Sequence, residues 1–172
     1  MHSEGAHPVS LSAVREQVYM VFPNDLNAND TVFGGLVMSL MDRYAVVCAE
    51  RHAGRTCVTV GVDAVHFIAP ARRGDVLIYN AAVNRAWGTS MEVGVRVEAA
   101  GARGGERRHV LSAYMTFVAM ENDAPCSVPE LLPETEVERQ RYEEAQLRRA
   151  LRLQHAKDLK ELRDRRSQGG RV

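Results

Sequence analysis

The stretch PNDLNANDTVFGGLVMSLMD, Pro23 to Asp42, runs from a polar turn through Gly34-Gly35 into an apolar segment that holds a single carboxylate. From Leu36 to Ala49 the chain reads LVMSLMDRYAVVCA, apolar nearly all round at helical spacing, the pattern of a buried helix. Asp42 and Arg43 are its only charges. Adjacent residues on a helix point about 100° apart, so Arg43 is not placed to neutralise Asp42 by default. A buried, unpaired carboxylate costs several kcal/mol unless something uses it, and Asp42 is therefore the residue to explain. Upstream, Asn24, Asp25, Asn27, Asn29 and Asp30 favour turns and left-handed backbone. Downstream, Arg51 and His52 sit in a last helical turn, and Gly54 takes the left-handed position past the end.

Working outward, Val14 to Phe22 is rich in β-branched and aromatic residues and stops at Pro23, which predicts a first strand. After the helix, alternation through Val58, Val60, Val62, Ala64 and His66 predicts a strand running to Pro70, followed by a turn at Gly74-Asp75. Val76 to Arg85, Met91 to Ala99 and His109 to Met120 predict three more, the first two joined by Trp87-Gly88-Thr89-Ser90. One strand, one helix and four consecutive strands with short links predict an α+β domain: an antiparallel sheet of about five strands with the helix on one face. Residues 1–12 lack periodicity and are expected to be mobile; 13–133 form the domain. Residues 134–172 are a charged helix and tail. There Leu147, Leu151, Leu159 and Leu162 make a narrow stripe, which fits a solvated helix resting one edge on the body or on a neighbouring subunit.

Composition excludes several classes. The 172 residues carry a formal net charge of +0, so there is no electrostatic case for nucleic acid or an acidic membrane, although roughly half of the 22 Lys and Arg lie beyond Glu134. Cys48, Cys57 and Cys126 have no metal-type spacing; they read as inert packing thiols in a reducing compartment. The start of the chain has no apolar run of signal-peptide length, and no stretch is long enough to span a membrane, which places the chain in the cytoplasm. His66 and His109 sit in strand patterns with nothing beside them to complete a metal or nucleophile set, so no metal is expected.

The parts suit acyl-group chemistry. Free N–H groups at a helix start stabilise an oxyanion, and glycines let a carbonyl approach closely. Asp42 would be the base or nucleophile. Gly34 and Asp42, however, are roughly 12 Å apart along a helix, too far to act on one carbonyl. If both serve a site, the second comes from another subunit.

Pro23-x-Asp25-x-Asn27, Val32-Phe33-Gly34-Gly35 and Asp42 resemble the acyl-CoA thioesterases of the hotdog fold, in the branch of the bacterial acyl-CoA hydrolases and their cytosolic eukaryotic relatives. The resemblance continues through Arg51 to Gly54, Val58-Thr59, Val62-Asp63, Phe67, Pro70, Gly74-Asp75 and Gly88 to Val93, and reaches the charged helix from Glu138. It implies a sheet wrapped around one helix, and a homodimer with sites at the interface, assembling into a trimer of dimers. It implies hydrolysis of acyl-CoA without a metal or organic cofactor, CoA being part of substrate and product. Carried over, Asp42 attacks the thioester or activates water, the Gly34 N–H polarises the carbonyl, and Asn27 helps position it. Gly35, Thr59, Arg72, Arg73, Gly88, Thr89 and Ser90 fall to substrate and CoA binding. Trp87 fits either a hairpin hydrophobe or an adenine platform. Two positions stand out. Asp30 occupies a place where relatives commonly have Gly, and Phe33 stands where some other hotdog enzymes have His. A non-catalytic acyl-CoA sensor on the same fold is the alternative reading; a hydratase would need that His.

Overall fold

The computed structural model describes residues 5–169. In chain order the elements are β1 (His7–Pro8), α1 (Val9–Ser12), β2 (Val14–Met20), a short turn of helix at Pro23–Asp25, α2 (Gly34–Ala53), β3 (Thr56–Val62), β4 (Asp75–Trp87), β5 (Ser90–Gly101), β6 (Arg108–Glu121), β7 (Ala124–Pro125), β8 (Leu131–Leu132) and α3 (Glu136–Gly169). The main sheet runs β2-β4-β5-β6-β3, antiparallel throughout, with β7 added beside β6, while β1 and β8 form a small parallel pair.

Period-two alternation decides the faces. On β5, Met91, Val93, Val95, Val97 and Ala99 are buried towards α2, and Glu92, Gly94, Arg96 and Glu98 take the opposite face. On β6 the same alternation buries Leu111, Ala113, Met115, Phe117 and Ala119. Against them α2 packs Val37, Met41, Ala45, Cys48, Ala49 and His52, and the Tyr79 hydroxyl donates to the Val37 carbonyl at 3.4 Å. Gly54 ends α2 at φ 65°, its N–H on the Glu50 carbonyl, as the sequence predicts. No helix among the described residues is long and apolar enough to cross a membrane.

Four expectations need correction. The helix is not buried all round: Met38 and Val47 are about 40% exposed and Asp42 is partly exposed, because a lone helix on one sheet face leaves its far side open in a single chain. The strand after α2 stops at Val62 rather than Pro70; a register shift at Thr59/Gly61 bends it, and 63–74 cross from the β3 edge of the sheet to β4. That link is no hairpin. Residues 1–4 lie outside the described residues, but 5–12 form β1 and α1, with Val9 and Ser12 buried against the body. Finally, of the two placements expected for the leucine stripe of α3, the one on the chain's own body is not made: Ala145 is fully buried there, while Leu147, Leu151, Leu159 and Leu162 are exposed in the single chain.

Candidate active site

The polar loop before α2 is built around Asp25, which is 8% exposed. Its carboxylate accepts from the Phe22 N–H at 2.8 Å and from the Tyr19 hydroxyl at 3.1 Å, and its carbonyl accepts from the Phe33 N–H. These bonds fix the point at which α2 starts. Asn27 organises the rest: its Oδ1 accepts from the Asn29 N–H at 2.8 Å and the Thr31 N–H at 3.3 Å, and its Nδ2 donates to Thr31 Oγ1 at 2.9 Å. One amide hydrogen of Asn27 is left for another acceptor. Asp30 closes the turn in the left-handed region, φ 57°.

Beside this loop is a cavity of about 350 Å³ lined by Asn27, Gly34, Val37, Phe67, Pro70 and Val110 among others. A side chain at either glycine would intrude: a Cβ on Gly34 would lie 3.2 Å from the Phe67 ring, and one on Gly35 only 2.3 Å from the Phe33 ring. A side chain at either position would have to displace one of these two exposed rings, and the first N–H groups of α2 have no acceptor within the helix. Arg72 pairs with Thr31 through the backbone, which brings Arg72 and Arg73, both exposed, to the same end of the molecule.

Asp42 lies two helical turns further along α2. Thr59 Oγ1 donates to its Oδ1 at 2.7 Å, so one carboxylate oxygen is held and the other is free. Across the sheet, Thr59 lies level with Phe117, Met91 and Ala86, and Val58 with Val118 and Ser90. Asp42 and Thr59 thus belong with the Gly88-Thr89-Ser90 hairpin. The twelve steps of β4 from Asp75 to Trp87 put that hairpin roughly 40 Å of strand from the Arg72-Arg73 turn, at about 3.3 Å per residue. The predicted residues therefore form two groups within one chain: Asn27, Gly34, Gly35, Arg72 and Arg73 at one end, and Asp42, Thr59, Gly88, Thr89 and Ser90 towards the other.

One group of charges was not assigned a role from the sequence. Glu92, fully buried on the face away from α2, accepts from Asn84 at 3.1 Å, from Arg148 at 2.8 Å and from Arg152 at 2.9 Å. Arg152 also reaches Asp63 at 2.7 Å, and the Arg148 guanidinium lies 3.6 Å from the Tyr114 ring centroid. The available signal was an acid on the polar side of an otherwise apolar strand, with arginines four residues apart on a helix. A larger space of about 630 Å³, lined by Asn80, Arg96 and Tyr114 among others, lies on this outer face and includes none of the predicted residues. The cysteines match their reading as packing thiols: burial pushes Cys48 up to about 11 and Cys57 up to about 12, and all three are unpaired.

Residues 29–105 match the model of the thioesterase superfamily. The chain is 39% identical over 134 residues to protein VdlD of Helicobacter pylori, covering 78% of this chain and 77% of that protein. It is 40% identical over 119 residues to YkhA of Bacillus subtilis, described as an uncharacterized acyl-CoA thioester hydrolase, covering 69% of each. The chain belongs to the thioesterase superfamily. Among solved structures, this superfamily member superposes on a hexameric acyl-CoA thioesterase with a TM-score of 0.85 at 36% identity, over 88% of this chain and 97% of that one. It superposes on an acyl-CoA hydrolase from Staphylococcus aureus, solved with butyryl coenzyme A and coenzyme A, at 0.80 and 33%, over 91% and 98%. That hydrolase has also been solved with an aspartate, a threonine or an asparagine changed to alanine. The sheet around α2 is the hotdog fold.

Proposed function

We infer that this chain is an acyl-CoA thioester hydrolase, releasing a free acid and CoA without a metal or organic cofactor, and that its working form is a homo-oligomer in the cytoplasm. The observation that carries the reading is the Asp42–Thr59 pair, which holds one carboxylate oxygen and leaves the other able to take a proton. In the water route, Asp42 removes a proton as the water oxygen bonds to the thioester carbon. The Gly34 N–H and the spare Asn27 amide hydrogen donate to the resulting oxyanion. The tetrahedral species then breaks its C–S bond, and the leaving sulfur takes the proton from Asp42. In the covalent route Asp42 bonds to the carbon itself as the C–S bond breaks and CoA leaves as the thiolate; water then cleaves the mixed anhydride to free acid, and the proton it gives up passes to the thiolate as the Asp42 carboxylate is restored. An aspartate, a threonine and an asparagine are the residue types altered in the S. aureus hydrolase, and they support the same roles for Asp42, Thr59 and Asn27.

One chain holds two half-sites, so a second copy must complete each. Surface fit for that copy is present. β3 is a sheet edge with Val58, Val60 and Val62 exposed, and the open side of α2 adds Met38 and Val47, with Phe33 just before it. Docking along β3 would extend the sheet and bring two α2 helices together, so that Asp42 of one faces the glycines of the other. The first-order unit is then a dimer, with a trimer of dimers as the full assembly; a hexameric relative fits this. We take 13–133 as the catalytic domain and 134–172 as its covering helix and tail.

The test is thiol release from a panel of acyl-CoAs. Wild type turns over, and Asp42→Asn loses at least about 100-fold in kcat, the low end for a positioned acid-base group. Binding of acyl-CoA without turnover by wild type would support the sensor reading instead, and an Asp42→Asn variant with wild-type rates would overturn the mechanism.

A further inference from the structure

Three arginines on one face of α3 approach the sheet, and only two of them meet acids. Arg148 is neutralised by Glu92 and Glu144, and Arg152 by Glu92 and Asp63. Arg149 has no carboxylate partner among the described residues. Its Nη1 donates to Ser90 Oγ at 3.2 Å, and its guanidinium sits 4.5 Å from the Trp87 ring centroid. Nearby Arg85 is similarly placed: it lies 4.0 Å from the Tyr142 ring centroid, its closest acid, Glu143, is 3.9 Å away and exposed, and its Nε is buried without an acceptor.

This corner therefore holds two guanidiniums stacked on aromatic rings, with the exposed Glu143 beside Arg85 and no carboxylate beside Arg149 among the described residues. Burial, then the charges of Arg152 and Arg85, hold the Arg149 guanidinium below its usual pKa, as an unneutralised cation among cations would be. A guanidinium has five donors and Arg149 spends one. The hairpin beneath is open: Gly88 is at φ 49° with nothing within 4 Å of where a Cβ would stand, and Thr89 is exposed. Planar, bidentate cations beside a hydroxyl and bare backbone are the chemistry that recognises phosphate.

We propose that Arg149, assisted by Arg85, Trp87 and Ser90, is a binding site for the phosphate-bearing end of the CoA thioester. This rests on the hydrolase reading above. Position agrees: Ser90 is level with Val58, two strand spacings or about 10 Å across the sheet, and Val58 adjoins the Thr59 that holds Asp42. Ser90 is on the outer face and Asp42 on the inner one, so the pantetheine arm would round the end of the sheet at Gly88. The helix that covers the sheet thereby supplies a substrate-binding residue.

The experiment compares Arg149→Ala and Arg149→Lys with wild type on acyl-CoA, acyl-dephospho-CoA and acyl-pantetheine. Arg149→Ala should raise KM for acyl-CoA about tenfold, the loss of one charge-assisted contact, with kcat within about twofold. KM for acyl-pantetheine, which has no phosphate, should not move, and Arg149→Lys should recover part of the loss. If dephosphorylation alone abolishes the difference between variant and wild type, the 3′-phosphate is the group bound; if it does not, the pyrophosphate is. An unchanged KM for acyl-CoA, or an equal rise with acyl-pantetheine, overturns the proposal and leaves the hydrolase reading intact. If wild type has no turnover, the hydrolase reading falls, and calorimetry with CoA decides this one. Tenfold weaker binding by Arg149→Ala upholds it, and equal binding, or none by wild type, overturns it.

Discussion

Replacing Glu92 with Gln should loosen α3 from the sheet without disturbing the hydrophobic core. Glu92 is fully buried and accepts from Arg148 Nε at 3.1 Å, Arg148 Nη2 at 2.8 Å, Arg152 Nη1 at 2.9 Å and Asn84 Nδ2 at 3.1 Å. Removing one partner of a buried ion pair costs about 3–5 kcal/mol when the other charge is left alone. Here each arginine keeps a second acid, Glu144 at 3.4 Å for Arg148 and Asp63 at 2.7 Å for Arg152, both partly exposed. The loss is therefore smaller, about 2–4 kcal/mol, since a Gln amide can still accept one bond. At about 2–4 °C per kcal/mol for a domain of this size, Tm should fall by about 4–16 °C. Trp87 is the sole tryptophan, and its Nε1 donates to Gln146 on α3 at 2.9 Å, so its fluorescence reports whether the helix is docked. Circular dichroism and Trp87 fluorescence should be followed on the same sample at fixed protein concentration, because assembly adds to apparent stability. A Tm change below about 2 °C would mean that the buried ion cluster contributes little to holding α3, and would refute the reasoning.

Two further outcomes follow from the geometry. Asp30 is at φ 57°, which costs a side-chain-bearing residue about 1 kcal/mol, so Asp30→Gly, net of roughly 0.4–1 kcal/mol for the greater freedom of unfolded glycine, should stabilise by no more than about 0.5 kcal/mol; a Tm lower by more than about 2 °C would contradict this. His52 is fully buried, its Nε2–H on the Pro129 carbonyl and its Nδ1 unpartnered, and burial, followed by the nearby His7, lowers its pKa below 6.5. The unfolded chain then takes a proton at a pH where the folded one does not. Stability is fully present above 6.5 and is lost as pH falls through 6.5 towards the folded value, at no more than about 1.4 kcal/mol per pH unit. Thermal melts from pH 7.5 to 5 should show this slope, and His52→Asn should flatten it; an equal slope in both proteins would assign the effect to other groups.

Much of the fold is legible because it rests on local signals. Alternation marks β4, β5 and β6, Gly54 ends α2, and the Asn/Asp-rich loop before Gly34 makes the turns its composition demands. What is not legible depends on register or on a second surface. A leucine stripe predicts how α3 would pack on an apolar face, yet the face it meets presents Glu92, Tyr114 and Arg85, and the matching side of α3 is Ala145 with Arg148, Arg149 and Arg152. Only strand order places those groups together. The β3–β4 connection has the same limit: its polar turn at Gly74-Asp75 looks like a hairpin, but β3 lies at the opposite side of the sheet, paired with β6.

The grouping of Asp42 with Thr59 and the hairpin ties α3 to the candidate chemistry. Arg152 bridges Glu92 on β5 to Asp63, immediately beyond the end of β3, and β3 is the strand that carries Thr59. One turn earlier on the same helix, Arg149 and Gln146 hold Ser90 and Trp87 at the β4–β5 hairpin. A single stretch of α3 therefore fixes both the strand that orients the Asp42 carboxylate and the corner proposed to hold the phosphates. The anchors proceed from Arg85 on β4, through Glu92 on β5 and Tyr114 on β6, to Asp63 beyond β3, so the helix crosses the whole sheet toward its open edge. That edge is where a second copy would dock and where the exposed Leu153, Leu159 and Leu162 lie beyond the last anchor. Loss of the Glu92 cluster should then be felt in three places at once: helix docking, the set of Asp42, and affinity for the phosphate end of the substrate. A purely structural helix would show only the first.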